Sequence, residues 1–211
     1  MNLPLDNYLY DHVGELPPVL EWLENETLNQ TGHHSKMLAG PILGRFLIEF
    51  SKLVAPKKIL EIGTFTGYSA ICLAQGLTSD GVLDALEKDE RHISLIKDGI
   101  ERAGLTTKIN LHFGDAKELI PQIKEEYDIV FIDANKREYC SYYNLAFNLV
   151  KPGGYILADN VLWYGKVTEA APPKDAQTQG ILKFNEMVKN DRRVSGFILP
   201  LRDGLYIIRK L

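Results

Sequence analysis

Cysteine is scarce in this sequence, and long hydrophobic segments are missing. The 211 residues include two cysteines, Cys72 and Cys140, which are not spaced as a CxxC pair. They indicate neither a disulfide framework nor a zinc site, and we expect a cytoplasmic protein in a reducing environment. No apolar run is long enough to cross a bilayer. The first residues also lack a basic region followed by an apolar core, so neither a membrane protein nor a secretory signal is expected.

An excess of positive charge and several common catalytic motifs are missing as well. The formal net charge of -4 provides no general attraction to nucleic acid phosphates, although it is compatible with a local basic patch. There is no Walker loop and no GxSxG motif, so P-loop phosphoryl transfer and acyl transfer by serine lack support. With 45% hydrophobic residues, the chain is predicted to form one domain over residues 1–211, with residues 1–35 as an N-terminal helical extension.

Short apolar segments alternate with helical patterns through the middle of the chain. Five such segments are KKILEIG, VLDALE, KINLHF, YDIVFID and YILAD. Each is apolar enough to be buried on both faces, which is typical of a parallel sheet covered by helices on both sides. The segments GFILPL and LYIIRKL, joined across Arg202-Asp203-Gly204, predict a closing antiparallel hairpin. We therefore predict an α/β fold.

Helices are predicted before and between these strands. One begins at Pro17-Pro18, and a second covers residues 37–54, where apolar side chains recur at helical spacing before Pro56. Between the strands, AKELIPQIKEE is predicted to form one of the helices that cover the sheet. Residues 178–189 are predicted to form the helix before the closing hairpin.

The turn after the first predicted strand is rich in glycine and polar residues. It runs from Glu61 through Gly63, Thr64 and Gly67 to Ser69. Ligands of open α/β sheets bind beyond the carboxyl ends of the strands, and glycines in such a turn let a ligand approach the backbone. The GxxxG spacing lacks the middle glycine with which dinucleotide sites admit a pyrophosphate, which disfavours NAD and FAD. A turn that is needed only for tight packing is the alternative.

Acidic residues follow the second and third predicted strands. Glu87 ends the second strand about 20 residues beyond the glycine turn, where a carboxylate usually accepts hydrogen bonds from both hydroxyls of a ribose. A solvated acid beside a helix start is the alternative. Asp115 follows the third strand, and it is a candidate both to cap the next helix and to contact an adenine edge.

Two carboxylates and an amide follow the fourth and fifth predicted strands. Asp133 ends the fourth strand, and Asp159 and Asn160 end the fifth. If these strands are neighbours, the three side chains converge, and their oxygens are hard ligands of the kind that Mg²⁺ or a similar ion prefers. The alternatives are a helix cap at Asp133 and an ordinary turn at the end of the fifth strand.

Four motifs, in the same order along the chain, resemble those of a known family. LEIGTFTGYSAICLA resembles a cofactor motif, FIDANK and LADNVLWYG resemble two metal motifs, and LPLRDGLYIIRK resembles a closing hairpin. The family is that of the metal-dependent O-methyltransferases of the caffeoyl-CoA and catechol type, and residues 36–211 look closest to its bacterial members. The resemblance implies a Rossmann-like class I methyltransferase fold, with a seven-stranded, mostly parallel sheet whose last strand is inserted antiparallel.

The resemblance also implies a cofactor site, a metal site and a catalytic lysine. The cofactor is S-adenosylmethionine, and the metal is a divalent ion such as Mg²⁺, with Ca²⁺ or Mn²⁺ as alternatives. Lys136 matches the catalytic lysine, with Asp133 beside it, and Asp133, Asp159 and Asn160 match the metal ligands. Ala39 falls at the methionine end of the cofactor, where the family usually has a hydroxyl residue. The residues implied to bind the cofactor are Ala39, Glu61, Gly63, Thr64, Ser69, Glu87, Asp115, Ala116 and Asp133.

The implied reaction is methyl transfer to a hydroxyl group of a small catechol-like or hydroxycinnamoyl acceptor. A bound dication acidifies the hydroxyl and fixes two vicinal oxygens, and Lys136 accepts the proton if burial lowers its pKa. One alternative is a methyltransferase that acts on hydroxyuridine in tRNA, which a basic cluster at the mouth of the site would favour. Others are a non-catalytic S-adenosylmethionine-binding module and a nucleotide-dependent oxidoreductase. The expected assembly is a homodimer.

Overall fold

The described chain forms a seven-stranded mixed sheet. The computed structural model describes residues 3–211, and the side chains of residues 3–6, 33, 34 and 36 lie outside the described part. The strands are β1 Lys58–Ile62, β2 Val82–Glu87, β3 Ile109–Phe113, β4 Tyr127–Ile132, β5 Val150–Ala158, β6 Val194–Leu199 and β7 Leu205–Lys210. Their order is β3-β2-β1-β4-β5-β7-β6. Strands β1 to β5 run parallel, and β7 lies antiparallel between β5 and β6. The predicted fold class is confirmed, including the inserted antiparallel strand and the closing hairpin.

Residues 3–211 contain eight α-helices, which cover both faces of the sheet. Their bounds are α1 Leu3–Asp11, α2 Pro18–Thr31, α3 Gly40–Val54, α4 Tyr68–Ala74, α5 Ile93–Arg102, α6 Ala116–Leu119, α7 Tyr139–Leu149 and α8 Ala176–Lys189. Helices α2 to α5 contribute to one apolar cluster, which includes Leu47, Ile71 and Ile96. Helices α6 to α8 contribute to the other, which includes Tyr143 and Phe184.

Central and edge strands differ in how their two faces are buried. In β1, Ile59 belongs to one cluster and Leu60 to the other, because successive side chains of a strand point to opposite faces. In β3, Ile109 is buried, whereas Asn110 and His112 are exposed. The prediction that every strand is buried on both faces is therefore wrong for β3, because this edge strand presents His112 to an open groove.

Two predicted helices are shorter than their apolar patterns suggest. Of the helix predicted over residues 37–54, only α3 is present as an α-helix, and Met37 ends a separate 3₁₀ segment, Gly32–Met37, with a break between the two. Gly40, at the start of α3, has a left-handed φ of 68°, so the helix cannot extend back through it. The helix predicted over AKELIPQIKEE is limited to α6 and a 3₁₀ segment, Ile120–Gln122, since Pro121 has no N–H to donate to a longer helix.

The second helix shares the main core of the molecule. Leu20, Leu23 and Thr27 of α2 are buried, and the helix packs against α4 and α5. The division into one domain with an extension over residues 1–35 stays a prediction, and the packing of α2 supports its single core. Within residues 3–211, no helix combines the length and the apolar character that a membrane span requires.

Helix α8 approaches the loop after β4 more closely than a side chain would allow. A Cβ atom at Gly180 would lie 2.4 Å from the carbonyl oxygen of Lys136 and 2.9 Å from the Cα atom of Arg137. Both neighbours are backbone atoms, so they cannot move unless the loop moves. The position of α8 therefore determines the position of the loop that carries Lys136.

We expect Gly180→Ala to lower the free energy of unfolding by about 1–3 kcal/mol, the usual cost of overpacking. Helix propensity alone predicts the opposite sign, because alanine is better than glycine inside a helix by about 1 kcal/mol. Lys183→Ala, at an exposed position of the same helix, is the control and should change stability by less than about 0.5 kcal/mol. Urea denaturation followed by circular dichroism measures both variants, and a stabilised Gly180→Ala protein would contradict this packing.

Candidate cofactor and metal site

A cavity of about 950 Å³ opens at the carboxyl ends of the parallel strands. It lies where the strand order reverses between β1 and β4, which is the usual ligand position in open α/β sheets. Glu61 lies behind its wall. The other residues predicted for the site all line the cavity: Ala39, Gly63, Thr64, Ser69, Glu87, Asp115, Ala116, Asp133, Lys136, Asp159 and Asn160.

The glycine turn after β1 packs against the end of β4. Gly63 has a φ of 92°, and a Cβ atom there would lie 2.3 Å from the carbonyl oxygen of Asp133. Only glycine fits that position, whether or not a ligand is bound. The packing alternative therefore accounts for Gly63, while Gly67, with a φ of 96°, starts α4 at the cavity.

Glu87 holds this turn on the end of β2. One carboxylate oxygen accepts hydrogen bonds from the backbone N–H groups of Thr64 (3.1 Å) and Phe65 (2.6 Å), and the other from those of Lys88 (2.8 Å) and Asp89 (2.7 Å). A carboxylate offers about four lone-pair sites, so these donors use its capacity. A ribose at this position must replace some of these bonds, so Glu87 has a structural role in this turn, and its contact with a ribose stays a prediction.

Glu61 supports the turn from inside the fold. Its side chain is fully buried, and Oε2 accepts a hydrogen bond from the hydroxyl of Thr64 at 2.7 Å. Among the described residues, Oε1 has no hydrogen-bond partner. Burial raises the pKa of Glu61 to about 7, and hydrogen bonds from Ser69 and Thr64 limit the rise. Glu61 therefore acts on the cavity through Thr64 and Ser69.

Ala39 and Asp115 both line the cavity. Ala39 is buried at the break before α3. Asp115 caps α6 by accepting a hydrogen bond from the backbone N–H of Lys117 at 3.0 Å, and it pairs with Lys88 at 2.8 Å. Its predicted cap is therefore present, and its contact with adenine stays a prediction. Ala116 follows it as the first, buried residue of α6.

The carboxylates of β4 and β5 lie at neighbouring strand ends. Ile132 pairs with Ala158 in register, so Asp133 and Asp159 follow directly at adjacent positions. Burial, together with the nearby charge of Asp133, raises the pKa of Asp159 to about 7. In the part of the chain that the structure describes, Oδ1 of Asp159 has no hydrogen-bond partner.

The donors at this rim suit a hard dication. Asn160 follows Asp159 with a left-handed φ of 59°, a conformation that asparagine tolerates better than most residues, and its side chain also lines the cavity. Among the side chains that the structure describes, no group of three histidine, cysteine or acidic residues is placed to hold a metal. The set at this rim is instead two carboxylates and an amide. The unpaired Oδ1 of Asp159 is the observation that shows a fit to a cation, since a buried acceptor without a donor is otherwise costly.

Lys136 is buried beside these acids and paired with one of them. Its Nζ donates to Oδ1 of Asp133 at 2.5 Å and to the hydroxyl of Tyr139 at 2.8 Å, and that hydroxyl donates to the backbone carbonyl of Asp159 at 2.9 Å. Burial by itself lowers the pKa of Lys136, but the attraction of Asp133, Tyr139 and Asp159 outweighs it, so the pKa lies above its ordinary value. A general base at neutral pH needs a lowered pKa. The charges around Lys136 raise its pKa instead, so burial alone does not make this lysine a base.

Comparison with known proteins identifies the family of this chain. The family model of the O-methyltransferases matches residues 10–211. The chain belongs to the O-methyltransferase family. A catechol O-methyltransferase of Niastella koreensis is 36% identical to it over 201 residues, which cover 93% of this chain and 90% of the relative. A caffeoyl-CoA O-methyltransferase of Populus kitakamiensis is 33% identical, with 98% of this chain and 93% of the relative covered.

Solved structures agree with this assignment. The O-methyltransferase of Bacillus cereus in complex with SAH has a TM-score of 0.87 at 32% identity, with 99% of this chain and 97% of that chain covered. TomG of Streptomyces achromogenes, in complex with SAM, has a TM-score of 0.89 at 27% identity, with 98% and 96% covered. The protein is thus an S-adenosylmethionine-dependent O-methyltransferase. The alternatives of an oxidoreductase and of a non-catalytic binding module have no support.

Several residues of the O-methyltransferase that border the cavity were missed at the level of sequence. Leu38 forms part of the wall at the break before α3, Trp163 and Tyr164 lie on the loop after β5, and Arg202 comes from the turn between β6 and β7. The aromatic pair stands in a quoted motif, so its position after a strand end was an available signal. Arg202 offered none, because a polar residue in a hairpin turn is ordinary.

We expect Glu87→Ala to weaken binding of S-adenosylhomocysteine to the O-methyltransferase by about 1–3 kcal/mol, the scale of lost hydrogen bonds to a charged group. The variant frees the backbone donors of the turn and removes the predicted acceptor of the ribose hydroxyls. Glu90→Ala, an exposed acid on the next turn, is the matched control and should bind normally. Titration calorimetry measures both, and unchanged affinity in Glu87→Ala would remove Glu87 from the cofactor site.

Proposed function

We propose that this O-methyltransferase methylates one hydroxyl group of a small catechol-like or hydroxycinnamoyl acceptor, with a divalent cation held by Asp133, Asp159 and Asn160. The observation that carries the proposal is the pair of carboxylates at adjacent strand ends, one of which leaves Oδ1 without a partner among the described side chains. The names of the two relatives, a catechol and a caffeoyl-CoA O-methyltransferase, support the same class of acceptor.

The charges of the rim support a cation at this place. The charge of Asp133 raises the pKa of Asp159, and Lys136 forms its ion pair with Asp133. Carboxylate and amide oxygens favour Mg²⁺, with Mn²⁺ or Ca²⁺ as alternatives. A divalent cation bound there supplies Lewis-acid chemistry, because it lowers the pKa of a hydroxyl group and holds two vicinal oxygens.

Lys136 and Tyr139 provide the route for the proton of the acceptor. We propose that Nζ of Lys136 accepts it, since Nζ lines the cavity next to Asp133 and is anchored by the hydroxyl of Tyr139. This role requires that the negative charge of Asp133 be compensated by another cation, because the Asp133–Lys136 pair alone keeps Nζ protonated. The lysine role and the metal role are therefore linked through Asp133.

The mouth of the cavity does not favour the tRNA alternative. Among the basic residues that line the cavity, Lys88 pairs with Asp115 at 2.8 Å, Arg91 with Asp89 and Lys136 with Asp133, while Arg202 donates to backbone carbonyls. Paired charges of both signs give no net attraction to a phosphate backbone. A small uncharged or weakly charged acceptor suits this mouth better.

Compartment and assembly belong to the same proposal. Cys72 and Cys140 are free thiols, which suits a reducing compartment, and we propose the cytoplasm. A homodimer stays a prediction. The exposed apolar side chains of Tyr8, Leu9 and Tyr10 on α1 are a candidate surface for the dimer interface.

We expect turnover to require a divalent cation and the carboxylate of Asp159. Thorough chelation, or Asp159→Asn, should lower kcat at least about 100-fold, because a Lewis acid contributes several kcal/mol to the transition state. Asp98→Asn makes the same chemical change at an exposed position of α5 and should leave kcat unchanged. Metal analysis of the purified enzyme and kinetics with added Mg²⁺ decide the question. Full turnover by metal-free enzyme would refute the proposed site.

We expect catechols to react and matched monophenols to react poorly, since a monophenol offers one oxygen where the proposed cation holds two.

Lys136→Ala should lower kcat on a catechol by about 10²–10⁴-fold, the usual contribution of a general base, and leave cofactor affinity nearly intact. Lys97→Ala, an exposed lysine on α5, is the control. Equal rates for wild type and Lys136→Ala would exclude the lysine from proton transfer, and equal efficiency on both phenols would exclude the two-oxygen geometry.

A further inference from the structure

The turn between β6 and β7 contacts two separate walls of the cavity. Nη1 of Arg202 donates hydrogen bonds to the backbone carbonyls of Leu38, at 2.9 Å, and of Ala39. The next residue, Asp203, contacts the loop that follows β5. Its Oδ1 accepts from the backbone N–H of Tyr164 at 2.6 Å, and its carbonyl accepts from that of Leu162 at 2.9 Å. Two consecutive residues thus connect segments that are far apart in the chain.

The wall that Arg202 reaches is a break between two helices. Leu38 and Ala39 separate the 3₁₀ segment from α3, and within the described chain α3 begins without a side-chain cap. The break interrupts the regular bonding of the two helical segments, and the carbonyls of Leu38 and Ala39 lie within it. Arg202 supplies a charged donor to both, and it reaches them from an exposed position at the mouth.

The wall that Asp203 reaches has an unusual backbone. Asn160, Trp163 and Tyr164 all have left-handed φ values, 59°, 47° and 56°. Such conformations are strained for residues other than glycine and persist only where the surroundings enforce them. Asp203 enforces this one with a side-chain and a backbone acceptor.

Arg202 is itself strained in the same way. Its φ is 51°, a value at which glycine is preferred and an arginine side chain carries a steric penalty. Glycine would make the turn more easily, but it cannot reach Leu38 and Ala39. The strain therefore indicates that the side chain has a use beyond the turn.

We propose that Arg202 and Asp203 are positioning residues that set the spacing between the two halves of the site. Arg202 holds the Leu38–Ala39 wall beside the methionine end of the cofactor, and Asp203 holds the loop of Asn160 and Trp163 on the acceptor side. Because they are adjacent in one tight turn, the two walls keep a constant separation, which methyl transfer requires between donor and acceptor. This inference rests on the proposed placement of cofactor and acceptor in the cavity.

The Arg202 half is tested with Arg202→Gly and Arg202→Lys. Glycine relieves the strained φ, so the thermal midpoint should stay the same or rise, while affinity for S-adenosylhomocysteine should fall about tenfold through loss of the charged donor. Lysine restores one donor and should recover part of that affinity. Calorimetry with S-adenosylhomocysteine needs no acceptor, so this result stands whether or not a catechol is methylated. Unchanged affinity in Arg202→Gly would overturn the role of Arg202.

The Asp203 half is tested with Asp203→Ala and Asp203→Asn. Alanine removes the acceptor of the Tyr164 amide, so hydrogen exchange of that amide should accelerate about tenfold and the KM for a catechol should rise, with affinity for S-adenosylhomocysteine changed less than about twofold. The amide oxygen of asparagine still accepts, so Asp203→Asn should restore both. If wild-type enzyme methylates no catechol, the proposed acceptor fails while the exchange result still decides the role of Asp203. Equal exchange in all three proteins, or a loss of cofactor affinity equal to that of Arg202→Gly, would overturn that role.

Discussion

The carboxylates of Asp133 and Asp159 lie side by side at the ends of β4 and β5, away from bulk water, and the rest of the site is arranged around their negative charge. Moving an acid into the interior costs several kcal/mol unless it is paired or neutralised. Asp133 is paired with Lys136, whereas Asp159 has a raised pKa, and its Oδ1 finds no partner among the described residues. Stability alone does not favour this arrangement, since apolar residues would serve a core better. The cation site proposed above accounts for it.

Backbone packing from three directions keeps this rim rigid. The turn after β1 approaches the carbonyl of Asp133 at Gly63, and α8 approaches the carbonyl of Lys136 at Gly180. From α7, the hydroxyl of Tyr139 bonds to both Lys136 and the carbonyl of Asp159. Both glycines are positions where a single methyl group would displace the backbone. A site held in this way needs little free energy to reorganise when ligands bind, and such rigidity is the condition for efficient positioning.

Local features of this fold and site are visible in the sequence, and contacts between distant segments are not. Apolar runs that stop at polar residues reveal the strand ends, including Asp133 and Asp159. Nothing local shows that Glu87 binds the N–H of Thr64, 23 residues away, or that Arg202 reaches Leu38 across 164 residues. The spacing of residues in a sequence shows periodicity along the chain, whereas these hydrogen bonds depend on how the chain folds back on itself. The same limit applies to Lys136: its role as a base was made conditional on burial that lowers its pKa, and the surrounding acids outweigh that burial.

The position of a bound dication tests most directly whether Asp133, Asp159 and Asn160 form a metal site. Crystals of the enzyme grown with Mn²⁺ and S-adenosylhomocysteine allow the ion to be located by its anomalous scattering, independently of any activity. We expect one strong peak between the carboxylates of Asp133 and Asp159 and the amide oxygen of Asn160, and its loss in crystals of the Asp159→Asn variant. A peak elsewhere, or a rim that holds no ion at saturating Mn²⁺, would contradict it.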